Sequence, residues 1–284
     1  MSVLLGAALA LLAPVAVRAA ERQSVPVIDT EDATLGTVEV PTGSLHGTAS
    51  LDVRNGDYAR GAYDDDDAGL SRLPVHAAVT LAGVLARDAA GDARLFLIGQ
   101  SSNGFHAPSP DERVTPRRWY ESNTIVALAW QPTKGLTTAA AYAIKASPNG
   151  VAGTTHEASL SIRYARARGL GWWRPNLVVT RRTQGDGGVF TLLGLSPEIS
   201  WGETTVSAPI VAGVGWSGFY GPDSGDRRYA SAGLALQRPL GRIATWRAEI
   251  VAIARDRRLR RLDAPDGTTA PVVPLATIAL SVPW

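Results

Sequence analysis

The final stretch of the chain, Val272–Trp284, reads VVPLATIALSVPW and decides the fold. Successive side chains of a strand point to opposite faces, so the two alternating sets of this stretch are separated in space. One face collects the apolar residues Ala276, Ile278, Leu280, Val282 and Trp284, and the other collects Thr277, Ala279, Ser281 and Pro283. A soluble β-protein has no physical reason to end on an exposed tryptophan. A transmembrane β-barrel does, because aromatic rings favour the membrane interface.

This stretch resembles the last strand of the bacterial outer-membrane β-barrel proteins. In those proteins the final strand carries apolar residues at alternate positions and ends in an aromatic residue, as the stretch does at Trp284. The resemblance implies that the barrel-assembly machinery is a partner and reads this terminal strand.

Composition narrows the class of protein. The 284 residues are 45% hydrophobic and contain no cysteine, which excludes disulfides and thiolate metal sites. After the N-terminus, no apolar run approaches the roughly 18 residues of a membrane helix. The net charge of +2 is too small to indicate the basic surface that a nucleic-acid partner requires. No cofactor is predicted.

Three regions follow from the chain in order. Residues 1–19 are predicted to be a signal peptide, because an Ala/Leu-rich run ends at the small-x-small site Val17-Arg18-Ala19. The alternative is a buried helix or membrane anchor. Residues 20–42 are predicted to be a periplasmic lead-in or a strap folded into the barrel mouth. Residues 43–284 are predicted to form the barrel, in the bacterial outer membrane.

Alternating strands fill the barrel region, and the stretch from Trp119 to Gln131 is the clearest of them. Tyr120 and Trp130 are predicted to share its apolar face, ten residues apart. At about 3.3 Å per residue and a tilt near 40°, they span roughly 25 Å along the membrane normal, the height of an outer-membrane apolar band. We count about twelve such strands, an even number, and predict an all-β, antiparallel up-and-down transmembrane β-barrel.

Connection lengths support this prediction. Tight turns such as Pro132–Gly135 and Gly202–Glu203 follow the even strands, and longer polar segments follow most odd strands. Short periplasmic turns alternating with long outer loops are typical of outer-membrane barrels. A secreted β-sandwich or soluble barrel is the alternative, but its continuous core would not accept the charges on the second face of these strands.

The alternation also assigns residues to the two faces. The predicted lumen-lining residues are Arg54, Glu121, Lys145, Glu157, Arg163, Arg174, Arg182, Glu198, Arg247 and Glu249. The predicted aromatic girdles are Tyr120, Trp130, Tyr142, Tyr164, Trp201, Trp216, Trp246 and Trp284. The lumen charges are of mixed sign, so they are expected either to pair with one another or to line a channel without strong ion preference.

Two loop clusters carry opposite charge. Asp64–Asp67 lie in the first outer loop, and Arg257, Arg258, Arg260 and Arg261 lie in the last. One expectation is that the two clusters pair across the barrel closure. Alternatively, the arginines contact lipopolysaccharide phosphates and the aspartates bind a hard cation, or both clusters remain solvated. Outer-membrane lipid and lipopolysaccharide are therefore predicted partners.

One segment resembles the active-site region of outer-membrane phospholipase A: Gln100-Ser101-Ser102-Asn103-Gly104, followed by Arg118-Trp119. That family has a histidine where this chain has Gln100, and an asparagine where it has Tyr120. Ser102 therefore lacks the neighbouring imidazole that would accept its proton, with His106 the one nearby substitute. We predict no catalytic residues, and the spacing of the four histidines predicts no metal site.

These observations predict an outer-membrane β-barrel that acts as a passive, porin-like channel for small solutes. The alternatives are a non-conducting structural or surface-interaction barrel and a lipid-acting enzyme at the outer rim.

Overall fold

The computed structural model describes residues 22–66, 68–108, 112, 114–184, 187–221, 224–263 and 269–284. The predicted signal peptide over residues 1–19 lies outside this part of the chain. So do the side chains of the aspartate run Asp64–Asp67, whose predicted pairing with the arginines is therefore not described.

The regular secondary structure of the described residues is almost entirely strand. The strands are β1 (Arg22–Ile28), β2 (Leu35–Pro41), β3 (Leu45–Arg54), β4 (Asp57–Ala59), β5 (Ala62–Asp66), β6 (Val75–Arg87), β7 (Arg94–Phe105), β8 (Trp119–Thr133), β9 (Leu136–Ala146), β10 (Thr155–Tyr164), β11 (Asn176–Arg182), β12 (Val189–Leu195), β13 (Glu198–Trp201), β14 (Thr204–Ser207), β15 (Ile210–Gly215), β16 (Arg227–Leu240), β17 (Ala244–Arg255) and β18 (Val272–Pro283). A 3₁₀ turn (Gly169–Trp173) and a short helix α1 (Arg257–Arg260) complete the elements. No helix among the described residues is both long and apolar enough to cross a bilayer.

The strands form a closed, antiparallel barrel. β3 pairs with β6, and sequential strands pair from β6 to β12. β12 pairs with β15, β13 pairs with β14, and both β14 and β15 pair with β16. β16 pairs with β17, β17 pairs with β18, and β18 closes the sheet on β3, with Thr277 opposite Arg54 and Pro283 opposite Thr48. Two of the barrel strands are interrupted near a proline, between β12 and β13 and between β14 and β15. Counting each interrupted strand once gives twelve barrel strands, which confirms the predicted fold class.

The connections divide the barrel into two ends. Residues 88–93, 134–135, 165–175, 202–203 and 241–243 connect strands at one end, here called the short-turn end. Residues 55–74, 106–118, 147–154, 183–188, 216–226 and 256–271 connect them at the other, here called the long-loop end. This is the asymmetry that the sequence predicted.

Burial alternates along the strands as a membrane barrel requires. On β18, Ile278 and Leu280 are exposed, whereas Thr277, Ala279 and Ser281 on the opposite face are half-buried. Large apolar side chains are exposed around the whole outer surface, among them Leu51, Val79, Leu97, Val126, Leu160, Leu177, Leu193, Leu234, Ile250 and Ile278. A continuous apolar outer belt of this kind has no place on a water-soluble barrel, because water would surround it.

Aromatic residues edge this belt at both ends. Near the short-turn end lie the predicted girdle residues Trp130, Tyr164, Trp201, Trp246 and Trp284. Near the long-loop end lie Tyr142 and Trp216, together with Trp119, which stacks on Phe105 with ring centroids 6.3 Å apart.

The prediction for Tyr120 is wrong. A β-bulge places Gly104 opposite Glu121 and Phe105 opposite Trp119, which leaves Tyr120 as the extra residue of β8. The bulge reverses the alternation, so Tyr120 points inward and is only 3% exposed. Trp119, not Tyr120, is the aromatic residue that β8 presents at the long-loop end.

The barrel closes on a close contact between Trp284 and Gly47. Their backbones exchange two hydrogen bonds of 2.9 Å, and the indole ring lies where a side chain on Gly47 would be. A Cβ atom added to Gly47 would come within 2.1 Å of the ring. Glycine on β3 therefore makes room for the terminal aromatic residue of β18.

We predict that Gly47→Ala lowers the temperature at which the folded barrel unfolds in a gel-shift assay. The added methyl group overpacks the closure, at a cost of about 1–3 kcal/mol. Gly83→Ala is the matched control, since Gly83 lies on the neighbouring strand β6 with nothing within 4 Å of an added Cβ. Equal midpoints for the two variants would contradict the role of this contact.

Candidate functional site: the filled lumen

The lumen contains two hairpins that are not part of the barrel wall. The first, β1–β2, forms its own two-stranded sheet from residues 22–41. Its buried side chains Val25, Ile28, Leu35 and Val40 belong to one hydrophobic core with inward residues of the wall. Residues 22–41 of the segment predicted to be a lead-in or strap therefore fold inside the barrel.

Polar contacts fix the first hairpin to several wall strands. Arg54 on β3 donates to the Glu31 carboxylate at 2.5 Å, and Lys145 on β9 donates to the Glu31 carbonyl at 2.5 Å. Asn176 on β11 donates to the Leu35 carbonyl at 3.3 Å. Contacts on three separate strands hold the hairpin across the lumen.

The second hairpin, β4–β5, folds inward from the connection between β3 and β6. Its tip is formed by Arg60 and Gly61, whose φ angles are +51° and +76°. Two consecutive residues with positive φ give the tight turn that favours a two-residue hairpin. A Cβ atom on Gly61 would lie 2.6 Å from the Tyr229 ring of β16, so glycine allows the tip to reach the wall.

Arg60 anchors this tip through a buried ion pair. Its guanidinium donates two hydrogen bonds of 2.7 Å to the two carboxylate oxygens of Glu157 on β10. The guanidinium also lies 5.0 Å from the Phe190 ring centroid and 5.1 Å from that of Phe219. Tyr220 donates to the Arg60 carbonyl at 2.9 Å. The side chain of Glu157 is only 1% exposed, so this charge depends on its protein partners.

A second polar cluster joins the β4–β5 hairpin to the wall strands β6 and β8. Tyr120 donates to Asp57 Oδ2 at 2.6 Å, and its hydroxyl lies 2.7 Å from His76 Nε2. His76 Nε2 lies 3.4 Å from Asp57 Oδ2 and 3.3 Å from Glu121 Oε2. Burial alone would raise the pKa of Asp57, but hydrogen bonding to His76 and Tyr120 and the Arg54 charge lower that pKa to about 2.

The inner wall differs between the two sides of the lumen. From β7 to β12 the inward residues that pack on the first hairpin are buried and mainly apolar, including Phe96, Ile98, Ile125, Ala127, Val178, Phe190 and Leu192. From β16 to β18 and on β3 the inward residues are mixed. Some are small or polar and half-buried, including Ser231, Gly233, Glu249, Thr277, Ser281 and Ser50, and others are apolar, including Tyr229, Val251, Ile253, Val273 and Leu275. The β1–β2 hairpin therefore packs on the β7–β12 side of the lumen, whereas Tyr58 of the β4–β5 hairpin packs with Ile253 and Val273 on the β17–β18 side.

Two cavities remain beside the hairpins. One, of about 290 Å³, lies between Arg60, Glu121, Lys145 and Glu157. The other, of about 280 Å³, lies between the hairpins and the wall of β16, β17, β18 and β3, and the polar Ser231, Glu249 and Thr277 line it together with the apolar Tyr229, Val251 and Leu275.

The structure places the residues predicted to line the lumen in four groups. Lys145, Glu157 and Arg182 gather around Arg60, with Lys145 Nζ 3.8 Å and Arg182 Nε 3.7 Å from the Glu157 carboxylate. Arg54 and Glu121 belong to the cluster around His76. Arg174 pairs with Glu198 at 2.5 Å, and Arg163 is buried. Arg247 pairs with Glu249 at 2.9 Å.

Sequence reasoning missed Asp57 and Arg60 because they lie in the polar stretch assigned to an outer loop. The sequence does contain Arg60-Gly61 between two short strands, and a dipeptide that ends in glycine favours a tight hairpin turn. His76 was not among the predicted lumen-lining residues, and its partners come from separate elements that no sequence spacing reveals.

Ser102, the residue of the phospholipase-like segment, is buried and faces the lumen from β7. His106 is also buried and stacks on Tyr120, with ring centroids 4.5 Å apart. This location separates the Ser102 hydroxyl from the lipid-facing surface.

We predict that Glu157→Gln destabilises the barrel strongly. The change leaves the buried Arg60 and the neighbouring Lys145 and Arg182 without their shared carboxylate, which costs about 3–5 kcal/mol. Urea unfolding of the refolded protein in detergent measures the loss. Glu203→Gln is the matched control, because Glu203 and Arg238 form an exposed pair 3.6 Å apart and such pairs contribute about 0–1 kcal/mol. A similar loss for both variants would contradict the prediction.

Comparison with solved structures places this architecture among known barrels. The chain is similar to an outer-membrane channel from Pseudomonas putida F1, with a TM-score of 0.50 and 10% identity over 86% of this chain and 97% of that one. Lower TM-scores of 0.41 relate it to the β domain of the Bordetella autotransporter BrkA, at 10% identity over 85% of this chain and 99% of that one. The translocator domain of the autotransporter NalP from Neisseria meningitidis also has a TM-score of 0.41, at 8% identity over 86% and 88% of the two chains. No protein-family model and no curated protein matches the chain. The chain has the fold of the bacterial outer-membrane β-barrels.

Proposed function

We propose that this protein is a narrow passive channel for small solutes in the bacterial outer membrane. The observation that carries the proposal is the uneven filling of the lumen. The β1–β2 hairpin packs against the apolar inner face of β7–β12, and a cavity of about 280 Å³ remains between the two hairpins and the wall of β16, β17, β18 and β3. Ser231, Glu249 and Thr277 place polar groups on the wall of this cavity, and polar groups favour a water-filled path, whereas a wholly apolar constriction would exclude water.

The charges along this path set its selectivity. Asp29, Glu31, Asp32 and Glu249 line the cavity together with Arg54 and Arg60. Arg54 and Arg60 are each engaged by a carboxylate at 2.5–2.7 Å, and Glu249 pairs with Arg247 at 2.9 Å, so Asp29 and Asp32 supply the acidic excess. The path is therefore weakly cation-selective, in keeping with a lumen of paired charges.

The membrane environment and the partners follow from the outer surface. The exposed apolar belt contacts outer-membrane lipid, and Arg257, Arg258 and Arg261 at the long-loop end contact lipopolysaccharide phosphates. The barrel-assembly machinery recognises β18. An N-terminal signal peptide delivers the chain to the periplasm.

A non-conducting barrel is the second candidate, favoured by the hairpins and ion pairs that fill most of the lumen. Enzymatic activity is not proposed, since Ser102 faces the lumen. Loss of lipid turnover on Ser102→Ala would overturn this view.

We predict that Ser231→Trp reduces single-channel conductance of the refolded protein in planar bilayers. Ser231 lines the cavity, so an indole ring there narrows the path. Ala232→Trp is the matched control, because the adjacent residue is exposed on the lipid-facing side of the same strand and the belt accepts tryptophan.

Wild-type barrels that form correctly but do not conduct would favour the non-conducting barrel. Equal losses for the two variants would contradict the assigned path.

Deletion of residues 22–41 is expected to raise conductance, because it removes the larger obstruction from the lumen.

A further inference from the structure

The cluster of Asp57, His76 and Glu121 has the geometry of a metal site. The carboxylate oxygens of Asp57 and Glu121 lie 3.4 and 3.3 Å from His76 Nε2, and one ligand atom from each residue falls within 4.8 Å of the others. Two ligands that each bind a tetrahedral ion at about 2.1 Å are about 3.4 Å apart. The three side chains thus have the spacing that one small cation requires.

The surroundings of His76 match those of a metal-bound imidazole. While Nε2 faces the two carboxylates, Nδ1 lies 3.4 Å from Asp52 Oδ1. Metal-binding histidines commonly direct their second ring nitrogen at a carboxylate, which fixes the ring orientation. His76 is only 1% exposed, so the ring has little freedom to turn towards other partners.

One buried polar atom beside the cluster is left over. Asn123 Oδ1 has no hydrogen-bond partner among the described residues, and Asn123 is 1% exposed. Asn123 donates to Glu121 at 2.5 Å through its amide nitrogen. Unsatisfied buried polar atoms cost free energy, and they point to a component, such as a metal-bound water, that completes the network.

The charge balance also favours a cation. Four carboxylates converge here, from Glu31, Asp52, Asp57 and Glu121, and Arg54 contacts the first three of them at 2.5, 2.7 and 3.5 Å. Glu121 lies beyond this arginine cluster and faces His76 instead.

We propose that Asp57, His76 and Glu121 bind one divalent transition-metal ion, such as Zn²⁺, with the Tyr120 hydroxyl beside it. A site with one imidazole and two carboxylates prefers Zn²⁺ or a neighbouring transition metal to Mg²⁺ and Ca²⁺, which take oxygen ligands alone. The ligands come from three elements, β4, β6 and β8. The bound ion therefore ties the β4–β5 hairpin to the barrel wall, independently of whether the barrel conducts.

Metal content of the refolded barrel tests the site. Protein stripped with EDTA, incubated with Zn²⁺ and dialysed is expected to retain one zinc per chain. His76→Gln and Glu121→Gln are each expected to weaken zinc affinity at least about tenfold, and Asp52→Asn about tenfold through the imidazole orientation. His46→Gln is the matched control, because His46 is also buried in the lumen but contacts Gln23 and Gly43.

Barrel formation by each variant is checked by the gel shift, so loss of zinc is not confused with misfolding. The proposal fails if the folded wild type retains no zinc, or if His46→Gln loses as much as His76→Gln. Equal retention of Mg²⁺ or Ca²⁺ in place of Zn²⁺ would also overturn it.

The tether has a separate readout. The chain has no cysteine, so Ala59→Cys introduces a single thiol at the second hairpin. Maleimide labelling of this thiol is expected to be several-fold slower with Zn²⁺ than with EDTA, and Glu121→Gln in the same background should remove the difference. Equal rates in the presence of Zn²⁺ and EDTA would overturn the tether.

Discussion

The width of a closed twelve-stranded sheet is the constraint on which the rest of this structure depends. An eight-stranded barrel is filled by its own side chains, whereas barrels with more strands enclose space that something else must occupy. Here two hairpins occupy that space. The β1–β2 hairpin comes from the segment before β3, and the β4–β5 hairpin comes from the first long connection. The apolar inner face of β7–β12 follows from this, since it would be costly against water and is covered by the first hairpin.

The hairpins are held by charge as well as by apolar contact. Arg60 with Glu157 and Arg54 with Glu31 connect each hairpin to the wall through short, charge-assisted hydrogen bonds. A buried ion pair adds little net stability compared with apolar packing, but the loss of one partner is severe. Such pairs therefore fix where each hairpin lies more than they hold the barrel together. Neither of these two pairs involves β16, β17 or β18, and solute passage is proposed beside those strands.

Much of the wall was predictable from sequence because strand alternation is a local property. The outward positions of Trp130 and Ile278 follow from counting every second residue. The count fails at Tyr120, where one inserted residue reverses the faces without any mark in the local sequence. The lumen was less predictable. Asp57, His76 and Glu121 meet only because the β4–β5 hairpin turns back into the barrel. That hairpin is anchored by the ion pair of Arg60 with Glu157, which lies 97 residues further along the chain.

The closure between β18 and β3 also constrains how the chain assembles. It joins residues more than two hundred positions apart, such as Thr277 and Arg54, so it forms late among the pairings of the sheet. The β1–β2 hairpin immediately precedes β3 and is enclosed by the wall that this pairing completes. While the sheet is still open, the hairpin can therefore enter from the side. Once Trp284 pairs with Gly47, the hairpin can enter or leave only through an end of the barrel.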